Sequence, residues 1–158
     1  MTKWKSKLLD EVFDALVKDG KKVIDNAART NTTIPRSKNM MDAYGAAVFY
    51  QGKRVRTVYV NPTPQSNKAH KGWDKHNIPS DTGRGYLDKW FDSYKTKTNG
   101  IELVCVNAIY YSQILEEGAQ TRNRKANLGT KYRIISQTMS EMYSLSKKYN
   151  GQLNIIKA

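Results

Sequence analysis

Apolar residues recur at alternating steps of three and four from Trp4 to Arg29: Trp4, Leu8, Leu9, Val12, Phe13, Leu16, Val17, Val23, Ile24, Ala27 and Ala28. That spacing lays one stripe along a helix, with Lys5, Lys7, Asp10, Glu11, Asp14, Lys18, Asp19, Lys21 and Lys22 on the other face. Gly20 lies inside the pattern. It weakens a helix by about 1 kcal/mol relative to Ala, so a kink or a close contact is expected there. Thr, Asn and Pro between Thr30 and Pro35 end the helix, and Arg36 to Asp42 is a polar connector.

The period then changes to two. Tyr44–Gln51 and Arg54–Val60 read as strands joined around Gly52-Lys53, a separation that suits a two-residue hairpin. Arg54 and Arg56 alternate with Val55 and Thr57, which predicts one wet, basic face. Residues 61–81 hold three of the four prolines and keep no period. A loop of ~20 residues in a compact domain is often functional or disordered. Trp73 and Ile78 are its apolar residues, placed to tuck onto the core or to enter a partner.

After candidate N-caps at Ser80, Asp81 and Thr82, the stripe Tyr86, Leu87, Trp90, Phe91, Tyr94 predicts a helix. Asn99-Gly100 is a turn, and Ile101–Val106 reads as a strand buried on both faces. Ala108–Glu117 returns to helical spacing and ends at Gly118, a C-terminal cap. Residues 119–129 form a second polar loop. Thr130–Tyr149 carries the last helical stripe (Tyr132, Ile135, Met139, Met142, Leu145, Tyr149), which Asn150-Gly151 stops. Leu153–Ile156 is a short apolar tail suited to an edge strand. The expected order is α–β–β–α–β–α–α: a single α+β domain over residues 1–158. A small, mostly antiparallel sheet with a hairpin is packed by a long N-terminal helix, a middle helix and a long C-terminal helix.

Composition adds two constraints. With 158 residues the chain can bury roughly two thirds of its unfolded surface, enough for one core. With 27 Lys and Arg against 14 Asp and Glu the net charge is +13, which attracts polyanions such as nucleic acid, acidic protein or anionic lipid. The bases Arg36, Lys38, Arg54, Arg56, Lys68, Lys71, Lys75, Arg122, Arg124, Lys125, Lys131 and Arg133 fall in loops and edges, with Tyr59, Trp73 and Tyr132 among them. Phosphate neutralisation combined with base stacking uses such a set, and so does an ordinary solvated surface. The lone Cys105, in an apolar run, reads as a packed thiol. The N-terminus mixes charges into its apolar residues, unlike a signal peptide, and no apolar run approaches the ~20 residues that span a bilayer, so no membrane partner is expected.

Candidate chemistry is sparse. Glu116 and Glu117 are a tight acidic pair, but neighbours on a helix point about 100° apart and do not face each other. His70, Asp74 and His76 have a loose metal-ligand spacing without a fourth ligand. Gly83-Arg84-Gly85 lacks the following Gly and Lys of a phosphate loop, and Asn31-Thr32-Thr33 is an isolated glycosylation sequon. No nucleophile elbow or Ser/His/Asp pattern occurs. The expectation is a protein that is not an enzyme, with no catalytic residues, no metal and no cofactor.

The stretch Thr82–Gly118 carries a resemblance. Thr82-Gly83-Arg84-Gly85-Tyr86-Leu87, then Val104-Cys105-Val106, then Ile109 to Gly118 with Tyr110, Glu117 and Gly118, resembles the tail-completion, or head–tail joining, proteins of tailed bacteriophages. In that family a Thr-Gly-x-Leu-like helix start, a short strand and a Tyr-Ala-x-x-x-Glu-x-Gly segment follow an N-terminal helix and a hairpin. The chain departs from the pattern where Gly85-Tyr86 resembles an insertion before Leu87, where Tyr111 or Ser112 stands for Ala, and where Gly129 to Tyr132 lacks a proline.

The resemblance implies a structural virion protein of the phage neck, assembled in the host cytoplasm. It implies a homo-oligomeric ring of about six or twelve copies that joins portal and tail around the DNA channel. The implied partners are further copies, portal or neighbouring neck proteins, tail proteins and the DNA that passes through. The residues expected at interfaces or facing DNA are Arg54, Arg56, Lys68, Lys71, Trp73, Lys75, Arg122, Arg124, Lys125, Lys131 and Arg133. The alternative is a stand-alone basic nucleic-acid-binding module.

Overall fold

A computed structural model describes residues 3–30, 43–60, 83–108 and 135–152. In these, α1 (Lys3–Thr30), β1 (Tyr44–Tyr50), β2 (Lys53–Tyr59), α2 (Gly83–Ser93), β3 (Ile101–Asn107) and α3 (Ile135–Lys148) follow in the expected α+β order. The strands form one antiparallel sheet in the order β2-β1-β3. The expected helix at 108–117, the loops at 61–81 and 119–129 and the tail at 153–156 lie outside the described residues.

β1 holds the centre, and its sequence shows why. Tyr44 to Phe49 are all buried, and three successive small residues, Gly45, Ala46 and Ala47, let helices approach on both sides. On one face Phe13 and Leu16 of α1 pack on Val48, with Leu9, Val12, Val17, Tyr50, Val55 and Leu103 around them. On the other, Leu87 and Phe91 of α2 pack on Ala47 and Phe49, with Tyr59, Trp90, Tyr94, Val104 and Val106 around them. The result is helix, sheet, helix. α3 lies antiparallel beside α1: Asn26 donates to Glu141 at 3.0 Å, and Lys148 reaches back to Asp19.

Two glycines are needed for this fit. A Cβ at Gly45 would stand 2.4 Å from Leu87 Cδ2 and 3.2 Å from Phe91 Cε2. One at Gly20 would stand 2.9 Å from Leu103 Cδ1 and 3.0 Å from Ala46 Cβ. Of the two expectations for Gly20, the close contact holds: α1 crosses β1 there within one 28-residue helix.

Three local expectations need correction. The hairpin turns at Gln51-Gly52, one residue earlier than expected. Both residues have positive φ (50° and 78°), as a two-residue turn that follows the twist of the strands requires. The strand buried on both faces is β1, not β3: among the described residues β3 pairs on one side only, its residues are half-buried, and Ile101 is exposed. The third concerns Arg54 and Arg56. Val48 pairs with Arg56 but Phe49 pairs with Arg54, so Val55 is an extra residue, a β-bulge. The bulge breaks the period-two alternation, and the two arginines do not share a face.

The C-terminal stop follows expectation. Asn150 takes a positive φ of 49°, its N–H bonds Lys147 O, and the Gly151 N–H bonds Ser146 O at 2.8 Å. This double closure satisfies the last carbonyls of α3, and Lys147 and Lys148 in the final turn complement its dipole.

Candidate functional site

Arg56 points to the α1 face. Its Nε donates to Asp14 at 2.8 Å and its Nη2 to Asp10 at 3.0 Å, and the guanidinium lies 5.9 Å from the Phe13 ring centroid. The hydrogen bonds it donates to Asp14 and then Asp10 raise its pKa further, so its charge is fixed. Arg54 points to the α2 face. It binds Asp92 at 2.7 Å and Asp88 at 3.5 Å, beside the Phe91 ring. Arg84, Asp88 and Asp92, spaced by four along α2, turn one edge of that helix to β2: Arg84 lies 4.3 Å from the Tyr59 ring centroid, and Tyr59 donates to Asp88 at 2.5 Å. Desolvation, and then the Asp88 hydrogen bond, push the Tyr59 phenol up to about 12. Of the residues expected to face an interface or DNA, Arg54 and Arg56 therefore have their charge met within the chain.

Asp19 is the buried acid between α1 and α3. It accepts from Lys148 at 2.5 Å, Tyr149 at 2.7 Å and Lys22 at 3.4 Å. Burial alone would raise its pKa. The hydrogen bonds from Lys148, Tyr149 and Lys22 outweigh that and hold the carboxyl below its ordinary value. Cys105, half-buried on β3, has its thiol pushed up to about 12 by desolvation and then by the Glu141 carboxylate. It is a protonated packing group at neutral pH, as its apolar context predicts.

Of the motif residues, Gly83 is the first residue of α2, and Leu87 is fully buried under the Cβ-less position of Gly45. Thr82, Tyr110, Glu117 and Gly118 lie outside the described residues. So do Lys68, Lys71, Trp73, Lys75, Arg122, Arg124, Lys125, Lys131 and Arg133, and the weighed groups His70, Asp74, His76 and Glu116.

The sequence reading missed a basic cluster at the hairpin end of the sheet. The β1–β2 turn meets the loop from Tyr94 to Gly100: the Gln51 N–H bonds Gly100 O at 3.4 Å, and a Cβ at Gly52 would stand 3.9 Å from Thr96 Oγ1. Lys53 follows the first turn, and Lys95 and Lys97 flank Thr96 in the second; all three are exposed. Glu102 holds the loop, accepting from Tyr94 Oη at 3.0 Å and from the Thr98 N–H at 2.5 Å. Desolvation, and then that Glu102 bond, push the Tyr94 phenol up to about 12. Lys53 lies more than forty residues from Lys95 and Lys97 in sequence, so the antiparallel pairing of β1 with β3 is what brings it to them.

Among the described residues no group of His, Cys, Asp and Glu is placed to hold a metal ion, and no helix is long and apolar enough to cross a membrane. Comparison with protein-family models, curated proteins and solved structures finds no match.

Proposed function

We propose that the chain is a structural subunit of a bacteriophage neck that closes with further copies into a ring around the DNA channel. The family motif between Thr82 and Gly118 motivates this reading, and the order of helix, hairpin, helix, strand and helix agrees with it.

The observation that carries the assembly half of the reading is the end of α1. At ~1.5 Å per residue its 28 residues run about 42 Å, whereas seven-residue strands run about 23 Å. Phe13 already stands beside Tyr50, the last residue of β1, at 5.5 Å between ring centroids. The turns before it overrun the hairpin end, and there Trp4 and Leu8, four residues apart, are 64% and 54% exposed. Two large apolar side chains on a projecting helical end of a strongly basic chain form a handle that a neighbouring subunit covers.

The test is Trp4→Ser with Leu8→Ser, followed by mass photometry. The wild type is expected to assemble and the variant to stay monomeric with an unchanged circular dichroism spectrum and melting temperature, since neither side chain is part of the core. Equal assembly by both proteins, or none by the wild type, contradicts the reading.

A further inference from the structure

We infer that Lys53, Lys95 and Lys97 form a contact site for the phosphate backbone of double-stranded DNA. The inference names the surface with which the proposed neck subunit meets its polyanion.

What distinguishes this end of the body is how its carboxylates are used. Asp92 is taken by Arg54, Asp10 and Asp14 by Arg56, and Glu102 by the Tyr94 hydroxyl and the Thr98 N–H. Arg54 and Arg56 bind the aspartates, and Glu102, bonded only to neutral donors, is the carboxylate that faces the three lysines, so the tip keeps an excess of positive charge among the described residues. The other large group of lysines, where α1 meets α3, has Asp19 set beneath it, and Lys22 and Lys148 both bind that carboxylate.

The geometry is also fixed in advance. Two turns are pinned to each other by the Gln51–Gly100 bond, and the longer is pinned internally by Glu102 and by the Gly100 N–H bonded to Thr98 Oγ1 at 3.1 Å. Three ammonium groups on such a scaffold lose little backbone freedom on binding. As flexible point charges they match phosphate oxygens rather than a fixed pattern of base edges. The binding is therefore independent of sequence and steeply dependent on salt.

The experiment compares two triple variants of equal charge change in the full chain: Lys53→Gln, Lys95→Gln, Lys97→Gln at the tip, and Lys18→Gln, Lys22→Gln, Lys147→Gln at the α1–α3 seam. Binding to a short blunt DNA duplex is followed by fluorescence anisotropy across a salt series, after circular dichroism has established that both variants fold. Each lost phosphate contact lowers the log–log salt slope by about 0.9. The tip variant is thus expected to lose close to 3 units of slope and roughly two to three decades of affinity at ~100 mM salt, while the seam variant changes by less than about threefold.

Equal losses in the two variants would mean that net charge alone binds DNA. That result overturns the inference, as does an unchanged tip variant or a wild type that fails to bind at ~50 mM salt. The oligomeric state is measured beforehand without nucleic acid, which separates the two claims. A ring without tip-dependent binding overturns this site alone, whereas tip-dependent binding by a strict monomer overturns the neck reading and leaves the site standing.

Discussion

Among the described glycines, Gly45 is where an added side chain would meet the closest contact. A single methyl group there meets Leu87 at 2.4 Å, in a layer where Leu87, Phe91, Ala47 and Phe49 are already closed to solvent. Gly45→Ala is expected to destabilise the fold by about 1–3 kcal/mol, read as a lower urea midpoint with unchanged slope. Gly20→Ala tests the same idea against an opposing term. Helix propensity favours Ala by about 1 kcal/mol, but the added Cβ meets Leu103 and Ala46 near 3 Å, so the net change is expected to be a loss of stability.

Asp19 fixes a pH dependence. Its folded pKa lies below the ordinary carboxylate value, so its contribution is fully present above about pH 4 and is lost as pH falls through the folded value. Asp19→Asn is therefore expected to lower the urea midpoint at neutral pH and to flatten its fall on acidification. An acid limb identical to the wild type would show that the three donors around Asp19 do not hold it ionised. At the alkaline end Tyr59 and Tyr94 are both raised from about 10 to about 12, so they favour the folded state below pH 10 and that contribution is lost as pH rises between those values. Phenolate absorbance is expected to lose a late component when Tyr59 and Tyr94 are both replaced by Phe.

Among the elements, β2 is the most instructive. Lys53 to Tyr59 reads as a clean alternating strand, and nothing in its own residues announces a bulge. The bulge becomes intelligible only in the assembled sheet: α1 brings Asp10 and Asp14 to one face, α2 brings Asp88 and Asp92 to the other, and one extra residue sends an arginine to each. Register is a relation between strands, which is why a single strand's sequence conceals it. The double burial of β1 was similarly hidden. Ile101–Val106 carries the larger aliphatic side chains, but Gly45-Ala46-Ala47 is what two approaching helices require, and small residues contribute little to a hydrophobic pattern. The three described helices were legible, because a stripe of spacing three and four survives any packing arrangement.

The divided arginines give a prediction at this scale. Arg54→Ala is expected to loosen α2 and Arg56→Ala the N-terminal half of α1, each seen as faster amide exchange in that helix alone. Because the two side chains share no partner, their costs are expected to add within about 0.5 kcal/mol in a double-mutant cycle. A larger coupling would contradict the assignment of the arginines to opposite faces.

Three features meet in the whole molecule. A sheet closed on both faces by helices makes a stiff body, one helix overruns it with an exposed Trp4 and Leu8, and a basic tip sits at the same end. The architecture could be read from the order of hydrophobic periods. The tip could not, since Lys53 and the pair Lys95 and Lys97 meet only through strand pairing, and Arg54 and Arg56, which looked like the exposed bases, are bound within the body.

The central claim, that this chain closes on copies of itself into a ring, is tested most directly by electron microscopy of the purified full-length protein at assembly concentration. Class averages with a closed rotational symmetry, and α1 overhangs at the contact between adjacent subunits, are expected. Particles that remain single copies at every concentration and salt, or rings whose contacts leave Trp4 and Leu8 in solvent, would contradict it.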